Sequence, residues 1–316
     1  MSSSDAQSDP TAVFERLRPR LFGLAYRMTG SIADSEDILQ DVFLSWSKQD
    51  RSEVANPAAF LTRSVVNRTR DLMRSAVHRR EQYVGPWLPE PLLSSVDAGA
   101  SAADEQLELA QSLGMAFMLM LERLNANERA VFVLKEVFDY RFEEIAELVE
   151  ASPAACRKTA ERARKKVHAD RPPPPVDHAR TQAMMIAFMS ASAEGDVGAL
   201  TALLRDDAVL YSDGGGKIQA VLKPIFGSDR IARFVFGVQR KQGGGVPRVS
   251  PAWINGGPGL LIHQRDDPEA LDSCVTMDLD DEGKIAAIYV VRNPDKLEPL
   301  TAAIHCADNP IHRRST

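Results

Sequence analysis

The sequence predicts a multidomain protein in which two all-α domains precede one α+β domain. Two stretches rich in proline, glycine or serine, Gly85–Ala102 and Arg171–Asp177, divide the 316 residues into three parts. The first two parts carry apolar residues at helical spacing, whereas the third begins with helical patterns and continues with alternating apolar segments. The expected domains and linkers are, in order, 11–84, linker 85–104, 105–170, linker 171–177, and 178–316.

The charge distribution restricts how this chain could bind nucleic acid. A formal net charge of -6 argues against binding through bulk charge, so any such binding must come from local patches. Residues 156–168 contain six lysines and arginines against one acid, whereas residues 86–119 contain no basic residue. Basic character is therefore concentrated where it could contact phosphate.

The sequence also sets expectations for compartment and metal content. It shows neither a signal-peptide pattern nor an apolar stretch long enough for a bilayer, so we expect a cytoplasmic protein with no membrane partner. The cysteines Cys156, Cys274 and Cys306 lie far apart, which suits a reducing compartment. We expect no disulfide framework and no metal site.

In the first part, the segment ADSEDILQDVFLSW predicts an amphipathic helix. Asp34, Asp37 and Asp41 recur at spacings of three and four and form an acidic ridge. The apolar residues share another face: Leu39, Val42, Phe43 and Trp46. This helix alone does not distinguish a solvated face from a binding face.

The next helix, PAAFLTRSVVNRTRDLMRS, has Asn56 as its expected cap and Pro57 as its first residue. Its polar face repeats at steps of four, three and four: Arg63, Asn67, Arg70 and Arg74. Its apolar face contains Leu61, Val65 and Leu72. Such a basic stripe is either solvated or suited to phosphates and a base edge, and both interpretations stay open here.

The second part contains FEEIAELVEASPAACRKTAERARKKV, which predicts two helices joined by a tight turn. Ser152 is the expected cap of the second helix, Pro153 its first residue, and Ile145 and Leu148 face inward from the first. The inward residues of the second helix are Cys156, Ala160, Ala163 and Val167. Its exposed residues are Ala154, Lys158, Glu161, Arg162 and Lys165, with Arg157 on the flank. The pattern favours a DNA-binding helix-turn-helix over an ordinary basic helical hairpin.

Four segments of the chain, taken in order, carry a family resemblance: DSEDILQDVFLSW, the basic NRTRDLMR, an acidic linker, and LNANERAVFVLKEVFDYRFEEIAELVEASPAACRKTAERARKKV. Over residues 11–168 they resemble extracytoplasmic-function (ECF) RNA polymerase sigma factors. The resemblance implies a region 2 domain and a region 4 helix-turn-helix domain. It also implies that the chain binds the β and β′ subunits of the RNA polymerase core and promoter DNA, directs transcription initiation, and needs no cofactor and no catalytic residue.

The resemblance implies a role for each segment. The loop from Ser47 to Pro57 would receive an unstacked base of the minus-ten element. The residues expected at the minus-ten element are Arg63, Asn67, Arg70 and Arg74. Those expected at the minus-thirty-five element are Arg157, Lys158, Arg162 and Lys165. Those expected to bind the polymerase are Asp37, Gln40 and Asp41.

Three short motifs, WLPEP at 87–91, DGGGK at 213–217 and NPDKL at 293–297, resemble the subgroup with a SnoaL-like (NTF2-like) C-terminal extension. In that subgroup the extension modulates the sigma domains in place of a separate anti-sigma factor. The DGGGK loop is expected to dock against the sigma domains. The residues expected to regulate between domains are Trp87, Asp213, Gly214, Gly215, Gly216, Lys217, Asn293 and Asp295.

The third part is expected to form a cone with two helices, around 183–193 and 197–204, and five strands. The expected strands are 208–212, 248–254, 259–264, 271–279 and 284–291. Polar candidates for its cavity are Tyr211, Asp213, Trp253, His263, Asp272 and Tyr289. We expect this domain to act as a built-in regulator and not as an enzyme, and whether its cavity binds a small molecule stays open. The alternatives are a DNA-binding regulator with a ligand-sensing cone that never engages polymerase, and an enzyme with a DNA tether.

Overall fold

The computed structural model describes residues 9–49, 54–81, 83–94, 114–167, 177–241 and 247–308. Contacts divide the chain into two compact units. The first unit contains Met1–Glu81 and Met118–Arg171, and the second contains Gln82–Phe117 and Pro172–Thr316. The domain boundaries drawn from the sequence stay predictions. Residues 50–53 of the predicted minus-ten loop, 95–104 of the first linker and 171–176 of the proline-rich linker lie outside the described residues.

The first unit is built from helices. They are α1 (Pro10–Thr29), α2 (Ile32–Ser47), α3 (Pro57–Glu81), α4 (Met115–Leu121, which belongs to this unit from Met118 onward), α5 (Ala126–Glu136), α6 (Phe142–Val149) and α7 (Pro153–Val167). Several begin at the predicted caps, because a side-chain oxygen accepts from one of the free N–H groups of the first turn. Asn56 Oδ1 accepts from Ala59 N at 3.1 Å, and Ser152 Oγ accepts from Ala155 N at 3.2 Å.

Helices α1, α2 and α3 pack together around the side chains that the helical spacing predicted. Trp46 is fully buried, and its Nε1 donates to the carbonyl of Pro10 at 2.9 Å. Leu61 and Val65 are also fully buried, which confirms the apolar face of α3. Leu72 is only half-buried and Met73 is buried in its place, because the face turns slowly along a helix of 25 residues.

Helices α5, α6 and α7 form the predicted helix-turn-helix. Ile145 and Leu148 are buried on α6. The four inward residues predicted on α7 are all buried: Cys156, Ala160, Ala163 and Val167. Small side chains at these positions let α7 approach its neighbours closely and leave its polar face outward.

The second unit combines helices with a single described sheet. Its helices are α8 (His178–Glu194), α9 (Val197–Leu203), α10 (Ser228–Lys241) and α11 (Pro294–Asp308). Its strands are β1 (Leu204–Asp213), β2 (Ile225–Phe226), β3 (Val249–Ile254), β4 (Gly257–His263), β5 (Leu271–Leu279) and β6 (Ile285–Val291). The sheet order is β2-β1-β6-β5-β4-β3, with β1 parallel to β6 and the other pairs antiparallel.

The expected strands are present, and the bounds of β5 are as predicted. The sequence reading missed β2 and α10, and it did not place α11. One face of the sheet is covered by α8, α9 and α10 around an apolar core. On the opposite face, Tyr211, Tyr289 and Thr276 lie side by side on β1, β6 and β5.

Candidate functional site

The basic stripe of α3 binds the C-terminal end of α6. Arg63 donates to the Glu147 carbonyl through Nε at 3.1 Å and also through Nη2. Arg70 Nη1 donates to the Val149 carbonyl at 3.3 Å. The last carbonyls of a helix have no partner within the helix and carry partial negative charge. Two arginines predicted to contact promoter DNA therefore cap a helix of the helix-turn-helix.

The stripe also lines a polar cavity of about 350 Å³. Its lining residues are Asn67, Arg70, Asp71, Arg74, Val149 and Glu150. Burial and the neighbouring Arg74 guanidinium lower the pKa of Arg70, whose Nε is buried without a hydrogen-bond partner. The structure thus brings three of the predicted minus-ten residues to one cavity, whereas Arg63 lies against α6.

Two buried arginines join α1 to α5 and to the turn that follows α5, inside the first unit. Arg129 of α5 is 1% exposed, pairs with Glu122 at 2.8 Å and donates to the Met28 carbonyl of α1 at 2.9 Å. Burial lowers the pKa of Arg27 to about 10, and its guanidinium lies 5.6 Å from the Phe138 ring. Burying a guanidinium is costly unless it is paired or hydrogen-bonded, so these contacts fix the packing of α1 against α5.

The turn before α6 adds a second aromatic contact to this junction. The guanidinium of Arg20 lies 5.4 Å from the ring of Tyr140, whose hydroxyl is 3.5 Å from Thr62 on α3. Both α1 and α3 therefore contact the aromatic turn between α5 and α6.

The outward face of α7 keeps only some of its basic charge. Three basic side chains are paired with acids of the neighbouring helices: Arg157 with Glu143 at 2.9 Å, Arg164 with Glu136 at 2.7 Å, and Lys166 with Glu128 at 2.8 Å. Lys158 and Arg162 stay exposed, and Lys165 pairs with Glu161 of its own helix at 2.8 Å. The assignment of this face to DNA stays a prediction, and a count of charges could not show which basic side chains are paired with acids.

The acidic ridge of α2 is on the surface, as predicted. Asp37, Gln40 and Asp41 are exposed, and Asp41 lies 3.5 Å from Arg68. Leu44 follows on the same side and is 48% exposed, which is high for a large apolar side chain. The ridge therefore combines acidic groups with one apolar contact point.

In the second unit, residues Tyr83–Ser94 form what we call the strap. At its first end, the buried Asp213 carboxylate accepts from the Tyr83 hydroxyl at 2.6 Å and from the Leu88 amide at 2.9 Å. Lys296 donates to the same carboxylate at 2.7 Å and lies 4.1 Å from the Trp87 ring centre. Burial and the bond to Asp213 raise the pKa of Tyr83.

The other end of the strap pairs with the edge of the sheet. The Leu92 amide donates to Asn255 Oδ1 at 3.1 Å, and Leu93 forms a bridge with Ile254 of β3. The Ser94 amide donates to the Trp253 carbonyl at 2.8 Å. The first part of the predicted linker is therefore held on the C-terminal sheet.

The DGGGK turn joins two of the sequence motifs. Gly215 has φ 62°, and a Cβ there would lie 2.4 Å from the Asn293 side chain. Lys217 pairs with Asp295 at 2.7 Å, and Asn293 donates to the Tyr83 hydroxyl at 2.9 Å. The three motifs meet at one cluster because the turn, the strap and the start of α11 share these bonds.

The six polar residues proposed for a cone cavity do not converge. Tyr211 stacks on Tyr289 at 5.6 Å, and Asp272 pairs with Arg292 at 2.7 Å. His263 Nε2 lies 2.9 Å from Ser250 Oγ, and Trp253 packs against His178. Trp253 faces the covering helix, whereas Tyr211 and Tyr289 lie on the opposite face of the sheet, and the six candidates are held in separate contacts, so they form no shared polar site.

Two protein families match the two helical parts of the chain separately. The Sigma-70 region 2 family matches residues 13–79, and the Sigma-70 region 4 family matches residues 114–167. The chain is 36% identical to the ECF RNA polymerase sigma factor SigJ of Mycobacterium tuberculosis, over 90% of this chain and 91% of that protein. The chain belongs to the ECF RNA polymerase sigma factors.

Other comparisons agree with this membership. The probable ECF RNA polymerase sigma factor SigI of M. tuberculosis is 28% identical over 95% of this chain and 99% of that protein. The crystal structure of SigJ matches with a TM-score of 0.72 at 32% identity, covering 91% of this chain and 98% of that one. Family membership favours the sigma-factor interpretation over a regulator that never engages polymerase. In the part of the chain that the structure describes, no helix is long and apolar enough to span a membrane.

Proposed function

We propose that this sigma factor binds the RNA polymerase core in the cytoplasm and reads two promoter elements with two faces of its first unit. The minus-thirty-five element would meet α7 through Arg157, Lys158, Arg162 and Lys165. The minus-ten element would meet α3 through Arg63, Asn67, Arg70 and Arg74. The observation that carries the proposal is this pair of basic faces in a chain whose net charge is negative.

The contacts of Arg63 and Arg70 support a closed state of the free protein. In that state the basic stripe of α3 is occupied by the carbonyls of Glu147 and Val149. Arginine and phosphate form hydrogen bonds between two opposite full charges, often in a bidentate geometry, whereas a backbone carbonyl offers only a partial negative charge. Promoter phosphates would therefore displace α6 from the stripe once the polymerase holds the two regions apart.

The acidic ridge of α2 is the proposed polymerase contact, through Asp37, Gln40 and Asp41 to the β′ subunit, with region 4 reaching the β subunit. Leu44 would add an apolar anchor beside these groups, because interfaces draw much of their energy from desolvated apolar side chains. No membrane partner is part of the proposal.

The C-terminal domain would regulate the sigma regions through the strap. The strap occupies Tyr83–Ser94 of the segment between Glu81 and Met115, about a third of its length. While the strap is bound to the sheet, less chain is free to join region 2 to region 4. Release of the strap would lengthen this connection. We propose this regulatory role and no enzymatic one, since the six polar candidates for the cone cavity do not form one site.

Run-off transcription tests the proposal. Purified core polymerase is supplied with a promoter library, with and without this protein, and the transcripts are sequenced. We expect protein-dependent transcripts that share two upstream elements. Binding of DNA without core-dependent initiation, also after truncation near Pro172, would contradict the proposal.

A pair of variants tests the closed state in the same assay. Tyr140→Ser removes the ring beside Arg20 and the hydroxyl beside Thr62, so we expect more transcript at limiting protein. Arg141→Ala is the matched control, because its guanidinium pairs with Glu144 of the same turn. Equal transcript from both variants would argue against a closed state.

A further inference from the structure

One acidic residue lies in the middle of the helix proposed to read the minus-thirty-five element. Glu161 is the only acid in α7, and its side chain is 63% exposed. It belongs to the outward stripe Ala154, Lys158, Glu161 and Lys165, which repeats at steps of four, three and four. This stripe lies opposite the buried one that begins at Cys156, so Glu161 points where the helix would meet DNA.

The other acids around α7 have a different position and task. Glu143, Glu136 and Glu128 come from α5 and α6 and pair with basic side chains on the flanks of α7. Glu161 instead pairs with Lys165 along the outward stripe itself. A Glu–Lys pair at this spacing on an exposed helix face stabilises the helix only weakly. Its structural role is therefore small.

A carboxylate on this stripe should weaken DNA binding unless it accepts a hydrogen bond there. It faces a polyanion, and it neutralises a lysine that would otherwise bind phosphate. In the major groove only cytosine offers a donor without an adjacent acceptor, since adenine sets N7 beside its amino group and guanine and thymine present acceptors. Cytosine N4 is thus the base-edge group that a carboxylate fits.

We propose that Glu161 specifies a cytosine in the upstream promoter element. The inference rests on the proposed function of α7 and adds the base that one side chain reads. Lys158, Arg162 and Lys165 then supply phosphate contacts, which position the helix and carry little sequence information.

The test is run-off transcription by core polymerase and the full chain, from a library randomised across the upstream element. Core-dependent transcripts from the wild type establish the proposed function before any variant is compared. Glu161→Ala should lower the preference for cytosine at one position by about 5- to 150-fold and leave the other positions unchanged. Glu161→Gln should move the preference at that position from cytosine to adenine, because a carboxamide pairs with N6 and N7 of adenine.

The controls separate specificity from charge. Lys165→Gln should lower transcription from all sequences alike, as expected for a phosphate contact. Glu143→Gln removes an acid that lies off the outward stripe and should leave every base preference in place. Three results would each overturn the inference while the proposed function stands: no cytosine preference in the wild type, loss of preference at another base, or a uniform rise in transcription with Glu161→Ala.

Discussion

The buried ion pair between Lys296 and Asp213 should control whether the strap stays bound. Replacing Lys296 with methionine keeps an unbranched side chain of similar length but removes the charge. The Asp213 carboxylate, 0% exposed, would then be left without its cation. The exposed pair Lys217 and Asp295 provides a matched control, since it has the same 2.7 Å separation but side chains that are 56% and 62% exposed.

The two substitutions should differ in their effect on stability, because water can solvate Asp295 once Lys217 is removed but cannot reach the buried Asp213 once Lys296 is removed. Breaking a buried pair by removing one partner costs about 3–5 kcal/mol, whereas an exposed pair contributes about 0–1 kcal/mol. Lys296→Met should therefore destabilise the bound strap by several kcal/mol, and Lys217→Met by less than about 1 kcal/mol. The double variant Asp213→Asn with Lys296→Met removes both charges and should recover much of the loss.

Hydrogen exchange at the Leu88 amide measures this effect, because that N–H donates directly to Asp213 Oδ2. In Lys296→Met its protection should fall by about two to three and a half powers of ten, at 1.4 kcal/mol for each power. In Lys217→Met it should fall by less than a factor of about ten. If the two variants lowered protection by the same factor, burial would not be what makes the Lys296 pair important.

Three further predictions concern stability. Burial raises the pKa of Asp278 to about 6, above the unfolded value, so folding stability should decline by up to about 3 kcal/mol as pH rises from about 4 to 6. Urea unfolding should show this decline in the wild type and not in Asp278→Asn; parallel profiles would refute it. Arg129→Met should cost about 3–5 kcal/mol in the unfolding of the first unit, with partial recovery when Glu122→Gln is added, and no recovery would mean that the pair is not coupled. Trp46→Phe should lower the free energy of unfolding by about 1–3 kcal/mol, since it loses the hydrogen bond to Pro10 and leaves a void. An unchanged midpoint of urea unfolding would contradict that packing.

Local patterns explain which parts of the fold could be predicted. The inward residues of α7 and the caps Asn56 and Ser152 follow from helical spacing and from unpaired N–H groups, which are properties of neighbouring residues. Strand β5 was recognisable because its apolar alternation is long. Strand β2 has two residues, Ile225–Phe226, and depends on pairing with β1, so no local sequence pattern predicts it.

The strap cluster shows what could not be predicted. Asp213 was expected as an interdomain residue and as a candidate for the cavity, yet it is buried against Lys296, 83 residues away in sequence. Such burial is decided by tertiary packing. The glycine run was the available signal, because Gly215 is needed where Asn293 approaches the backbone closely. The role proposed for Glu161 was not anticipated for another reason: a count of basic against acidic residues does not show which of them share a face.

The distance between α2 and α7 in the free and the bound protein tests the account most directly. Spin labels at Ser45→Cys and Ala155→Cys, two exposed positions outside the proposed polymerase and DNA contacts, would be measured by pulsed electron resonance with Cys306 replaced by serine; Cys156 and Cys274 are buried. We expect one short distance distribution in the free protein and a longer one after core polymerase and promoter DNA are added. A distribution that stays the same on forming an active complex would contradict a closed state that opens to read the promoter.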